Sequence, residues 1–183
     1  MYIYDSQKEQ IAHALEFLKE GLKNNESCLL VADYSVRKKQ KRTRNNQWES
    51  STDIKDIKKS DIRVISSSDW FLARTAAGLK VNNEEELWIN LSSKRELRGK
   101  SKLRAFVDMS LLYRLQLLED LVECEYRVAN MRNLPIKLIC AYIESDLSLL
   151  TDLSLLSIES YKKICHYHRN VFHITHGQTR LIT

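Results

Sequence analysis

The sequence predicts an α/β fold of three layers, a predominantly parallel sheet with helices on both faces, and three observations carry that prediction. Short apolar runs of strand length alternate with segments of helical period along the chain, the pattern of a parallel sheet with covering helices. One run, inside Leu134–Asp146 (LPIKLICAYIESD), is apolar at nearly every position from Ile136 to Ile143, as a strand covered on both faces requires. The chain has 183 residues, enough for a core without staples. With no second core and no internal repeat in the pattern, residues 1–183 read as a single domain.

The elements follow in order. Met1–Tyr4 alternates apolar and aromatic residues and suits a short strand. Asp5 and Ser6 offer a helix N-cap, with Glu9 in capping-box spacing from Ser6. Ile11, Ala14, Leu15, Leu18 and Leu22 then repeat at helical period, with Gly21 and Asn24–Asn25 as the stop. Cys28–Ala32 is the first central strand, and Asp33 stands at its carboxyl end. From Ser35 to Ser60 the apolar period dissolves, which predicts a mobile basic loop over residues 35–60. Asp61–Ser66 is a second strand, followed by serines and Asp69 that cap a helix from about Trp70 through Phe71, Leu72, Thr75 and Ala76 to Gly78. Another helix is expected from about Asn83 to Leu97, with carboxylates in its first turn. Leu103–Val107 is a third strand ending at Asp108, and one long helix is expected from Ser110 to Met131. Pro135, the only proline, opens the central strand where no ladder donor is yet needed. Helical segments near 147–150 and 154–166 and a strand at Val171–Ile174 complete the chain.

Composition narrows the functional classes. A net charge of +5 and a pI near 9.0 weakly favour anionic partners. No apolar run approaches the roughly 20 residues that span a bilayer, and Met1–Glu9 is too polar for a secretory signal, so no membrane partner is predicted and a cytoplasmic location is expected. The four cysteines, Cys28, Cys124, Cys140 and Cys165, lie far apart and read as reduced thiols.

A phosphate loop needs glycines whose backbone N–H groups wrap the phosphates, followed by lysine and a hydroxyl. The first central strand runs instead into DYSVRKKQK, with no glycine, and a GxGxxG fingerprint is equally absent. Hydrolysis of ATP at a P-loop is therefore excluded on motif, and no cofactor is predicted. Arg37, Lys38, Lys39, Lys41, Arg42 and Arg44 would attract a phosphate backbone, with Trp48 as a stacking face, or simply form a solvated loop. His166, His168, His173 and His176 gather late beside Cys165, but their spacing matches no metal pattern, and no metal site is predicted. Asp33, Asp108 and Glu144 each follow a central strand, as acid–base groups or as caps. Cys140 and Tyr142, two apart, share one face of the central strand. No serine, cysteine or lysine stands in a nucleophile motif, so no catalytic residue is predicted and the chain is read as no enzyme.

The order IYDSQKEQ, EGLKNNESCLLVA, LRAFVDMS, ECEYRVAN and LICAYIES, spread over Tyr2 to about Phe172, resembles the MEDS domain, the sensory domain of the dichloromethane-responsive regulator of methylotrophs and of methanogen signalling proteins. Tyr4-Asp5 matches the family's opening Tyr-Asp, Cys28 falls in its first strand, and Asp108-Met109 stands where Glu-Met is usual. Glu125 matches the glutamate of its long helix, Cys140 and Tyr142 its Cys-x-Tyr strand, and His168 its late His-Pro, with Arg169 in place of the proline. The resemblance implies a RecA-like fold without a phosphate loop and a role in sensing small molecules. The expectation is then a stand-alone, non-enzymatic sensor. It binds its ligand at the strand carboxyl ends through Tyr4, Asp5, Asp33, Asp108, Cys140 and Tyr142 and signals to a separate signalling or DNA-binding protein, with homo-oligomerisation left open. The alternative is a basic nucleic-acid- or nucleotide-binding protein on the same scaffold.

Overall fold

The computed structural model describes residues 1–32, 61–76, 78–93, 97–131, 133–145, 162–168, 170–175 and 178–182. The predicted basic loop, Asp33 and the segments near 147–150 and 154–161 lie outside these residues. In chain order the elements are β1 (Tyr2–Tyr4), α1 (Gln7–Lys23), β2 (Ser27–Val31), β3 (Ile62–Ile65), α2 (Ser67–Phe71), β4 (Leu72–Thr75), β5 (Gly78–Val81), α3 (Glu84–Ser92), β6 (Leu103–Asp108), α4 (Ser110–Arg114), α5 (Leu118–Asn130), β7 (Ile136–Ile143), β8 (Phe172–Thr175) and β9 (Gln178–Leu181). Residues 162–167 are also helical.

Seven strands form the main sheet in the order β3-β2-β6-β7-β1-β8-β9. Every neighbouring pair is parallel except β8–β9. The strand of the apolar run, β7, is the middle one, between β6 and the short β1. Strand alternation then divides the core. Leu29, Val31, Leu103, Ala105, Val107, Cys140 and Tyr142 face a layer containing Trp70, Trp88, Leu112, Leu121 and Ile164. Cys28, Leu30, Phe106, Ile139 and Ala141 face Ala14 and Leu18 of α1. The three-layer α/β architecture is thus present, with helices on both faces. Among the described residues no helix is long and apolar enough to cross a membrane.

Local chemistry explains the starts and stops. The Ser6 hydroxyl accepts from the Glu9 N–H at 3.3 Å, a cap interaction of about 1 kcal/mol. α1 ends at Asn24 and Asn25, the latter at φ 56°. The Gly21 carbonyl accepts from Asn24 N and Glu26 N at this stop, although Gly21 itself lies inside the helix. A Cβ there would come within 2.7 Å of Arg104 Cδ and 2.8 Å of Cys28 Sγ, so the missing side chain is what lets helix and sheet approach.

Four expectations are corrected. The helix expected from Trp70 to Gly78 stops at Phe71, and Leu72–Thr75 pairs antiparallel with Gly78–Val81. Gly78, at φ 122°, opens the return strand opposite Thr75. The helix expected to Leu97 ends at Ser92. The helix expected over Ser110–Met131 is two helices, broken around Gln116 at φ 57°. Leu112 and Leu121, nine residues apart, would sit roughly 180° apart on one straight helix, yet both are fully buried in the same layer, and the break makes that fit. The last expected strand is shifted by one residue, and it continues into an antiparallel partner, β9, that the apolar pattern had not indicated.

Candidate functional site

Between β7 and α5, in an otherwise apolar layer, four polar side chains converge from distant parts of the chain. Cys140 and Tyr142 point from β7 into this layer, as their alternation predicted, and each is at most 3% exposed. Leu121, Cys124 and Glu125 form the buried stripe of α5, which carries the Glu125 carboxylate, fully buried, over the strand. The segment after residues 162–167, anchored by buried Ile164, brings in His168.

The Tyr142 hydroxyl donates to Glu125 Oε1. His168 Nε2 lies 2.9 Å from Glu125 Oε2, and its Nδ1 lies 3.4 Å from the Met1 nitrogen. The Tyr113 ring stands edge-on to that of Tyr142, centroids 5.6 Å apart. Burial alone would raise the Glu125 carboxyl, but the His168 hydrogen bond and charge, with the hydrogen bonds of Tyr142 and Cys140, hold it below its ordinary value. The Tyr142 phenol is pushed well up by burial and by the Glu125 charge, and so stays a donor. A carboxylate, a thiol, a phenol and an imidazole therefore share one enclosed site, of which His168, with its side chain 14% exposed, reaches furthest toward the surface.

The remaining predicted residues lie elsewhere. Tyr4 faces the opposite side of the sheet, packed with α1, and its hydroxyl meets His13 Nδ1 at 2.7 Å. Asp108 is on that α1 side too, where its Oδ1 accepts from Ser110 N at 3.0 Å and Gln10 Nε2 at 3.3 Å. The sheet thus separates Tyr4 and Asp108 from Cys140 and Tyr142, and a single crevice holding all four is not formed. Asp5 sits at the carboxyl edge, its Oδ1 2.7 Å from His173 Nε2, with Glu144 3.8 Å from the same ring. Asp33, Arg37, Lys38, Lys39, Lys41, Arg42 and Arg44 lie outside the described residues. Cys28 is buried, which pushes its thiol up to about 11, and its Sγ donates to Leu18 O. A cleft of about 580 Å³ lined by Arg63, Ile65, Asp69, Trp70 and Leu91 shares no residue with the cluster.

A second buried polar group lies across the sheet. Arg104, 1% exposed, donates from Nε to Glu26 Oε2 at 2.5 Å and from its terminal nitrogens to Glu20 and Phe17 O. Lys137 Nζ reaches the other Glu26 oxygen at 3.1 Å.

Neither Glu125 nor His168 was a predicted ligand-binding residue, although the family likeness touched both positions. The usable signal was a carboxylate on the apolar stripe between Leu121 and Val128, where a solvated residue has no place. Two groups among the described residues can offer three ligand atoms within 4.8 Å of one another: Glu125, Cys140 and His168, and Asp5, Glu144 and His173.

No curated protein matches the chain significantly. A family model does match, that of MEDS, the methanogen/methylotroph, DcmR sensory domain, over residues 1–153. That span contains Glu125, Cys140 and Tyr142, and His168 falls beyond it. With most of its length matched and the three-layer fold in place, the chain belongs to the MEDS family of sensory domains.

Proposed function

We propose that this sensory domain works by binding, without chemical turnover, a small and weakly polar molecule against the Glu125–Cys140–Tyr142–His168 cluster. The observation that supports this reading is the full burial of the Glu125 carboxyl against an apolar layer, bonded to Tyr142 and His168. A charge in such a place costs several kcal/mol unless it is paired, and buried, pKa-shifted groups concentrate at functional sites. Apolar walls with a few placed polar groups suit a small ligand. The state of the site is then passed to a separate signalling or DNA-binding protein, and four cysteines outside any disulfide suit a reducing, cytoplasmic compartment.

Native mass spectrometry of freshly purified protein tests this reading. The expected result is a small molecule retained by the wild type and lost from Tyr142→Phe, with both proteins giving the same circular-dichroism spectrum. Equal retention by the two folded proteins overturns the site. A ligand recovered in chemically altered form overturns the non-enzymatic part.

A further inference from the structure

We propose that Glu125, Cys140 and His168 form a binding site for one zinc-class divalent ion, with a fourth coordination position left for a small molecule. The inference rests on the sensory reading only for the use of that fourth position. The metal site itself stands on the geometry.

Three features carry it. The carboxylate oxygen, thiol sulfur and imidazole nitrogen lie within 4.8 Å of one another, close enough for small rotamer changes to bring all three to one ion at about 2.0–2.3 Å. The donor set is one oxygen, one sulfur and one nitrogen, which suits a borderline-soft ion such as zinc and disfavours magnesium or calcium. Three protein ligands with an open position are the arrangement of zinc sites that bind a further molecule, whereas structural sites are closed by four.

Charge balance agrees with the burial. On binding, the Cys140 S–H bond breaks and its proton leaves to solvent, the proton between His168 Nε2 and Glu125 Oε2 passes to His168 Nδ1 so that the ring stays neutral, and sulfur, Glu125 oxygen and His168 Nε2 each donate a lone pair to the ion. A dication with one thiolate and one carboxylate is neutral, so the filled site leaves no net charge in the apolar layer. Tyr142 already donates to Glu125 Oε1, leaving the other oxygen, Oε2, on the His168 side. That is how groups beyond the ligands orient them. The exposed edge of His168 gives the ion a route in.

The other candidate, Asp5, Glu144 and His173, has no thiol and is partly exposed, so it serves as the internal control.

The test uses the full chain, stripped with chelator and titrated with cobalt(II), then with zinc against a chromophoric competitor. One cobalt ion per chain is expected, with visible d–d bands and a near-ultraviolet thiolate-to-metal band. Cys140→Ser should abolish the thiolate band. His168→Asn, the mildest change because that side chain reaches the surface, should weaken zinc at least tenfold, whereas His173→Asn should leave affinity unchanged. Zinc should raise the melting temperature of the wild type and not that of His168→Asn. A missing thiolate band in the folded wild type, or zinc affinity insensitive to His168→Asn, overturns the site. A small molecule retained equally by metal-free and zinc-loaded protein overturns only the fourth-position role and leaves the sensory reading standing.

Discussion

The sheet separates two buried polar clusters of different chemical character. On the α1 side, Arg104 binds Glu26, Glu20 and the Phe17 carbonyl, and its guanidinium lies 4.6 Å from the Phe17 ring centroid. Arginine stays protonated in proteins, so the centre of this cluster keeps its charge and a fixed set of carboxylate partners wherever those carboxylates are ionised. On the other side, Glu125, Cys140, Tyr142 and His168 can each exchange a proton or accept a new ligand atom. Arg104 and Glu125, the two centres, are buried alike. What separates a brace from a candidate site is whether its groups can change state.

The comparison is broken most directly at Arg104. Arg104→Met removes the cation from Glu26, which is 4% exposed, and breaking such a buried pair costs about 3–5 kcal/mol. Urea denaturation should show that loss. Burial pushes the Glu26 carboxyl up, but the bonds and charges of Arg104 and Lys137 outweigh it and hold it below its ordinary value. The stability it contributes is therefore present above the unfolded carboxyl's pKa and lost as pH falls through the lower folded one. In Arg104→Met this acid-side loss should be much reduced.

Gly21→Ala comes next. Alanine gains about 1 kcal/mol of helix propensity, but its Cβ would meet Arg104 Cδ and Cys28 Sγ at 2.7 and 2.8 Å. Overpacking of this kind costs about 1–3 kcal/mol. A net destabilisation is expected, and a stabilised variant would mean that the Arg104 cluster is looser than its contacts indicate.

Glu125→Gln sharpens the contrast from the other side. It removes a buried charge and the acceptor facing His168 Nε2, while the amide oxygen still accepts from Tyr142, and these effects oppose each other, leaving a loss of about 1–2 kcal/mol, smaller than that of Arg104→Met. A loss as large as the Arg104 one would make the Glu125 cluster a second brace.

The order of these effects follows from contacts the sequence only partly reveals. The middle strand and the shared face of Cys140 and Tyr142 were legible because strand alternation has a period of two. The segment from Trp70 was misread because Leu72, Ala73, Arg74 and Ala76 favour helix locally, while pairing of Leu72 with Val81 and Thr75 with Gly78 prevails. Glu125 sits on the same stripe as Leu121, so periodicity alone passes over it. His168 looked like one of a local histidine group, yet its partner Glu125 is 43 positions away, a distance that spacing rules do not cover. Tyr4 was placed with Cys140 because the family resemblance reaches both positions. The register sets Tyr4 opposite Ile143, one position out of phase with Tyr142, and so turns it to the other face.

Asp108 gives the smallest effect and the finest test. It is a buried carboxylate like Glu26 and Glu125, but its partners are the neutral donors Ser110 N and Gln10 Nε2. Burial raises its pKa, and the hydrogen bonds from Ser110 and Gln10 only partly oppose this. The unfolded chain therefore gives up the Asp108 proton at lower pH than the folded one. The contribution of Asp108 to stability should fall as pH climbs from the ordinary carboxyl value to the raised one, then level off. Asp108→Asn keeps an acceptor oxygen for both donors and has no proton to lose. It should match or exceed wild type by up to about 1 kcal/mol at neutral pH, with the difference closing as the solution is acidified. Urea denaturation of both proteins across that range checks it. A clear loss of stability in Asp108→Asn at neutral pH would mean that a cation holds the carboxylate, and Asp108 would then belong with the Arg104 kind of cluster.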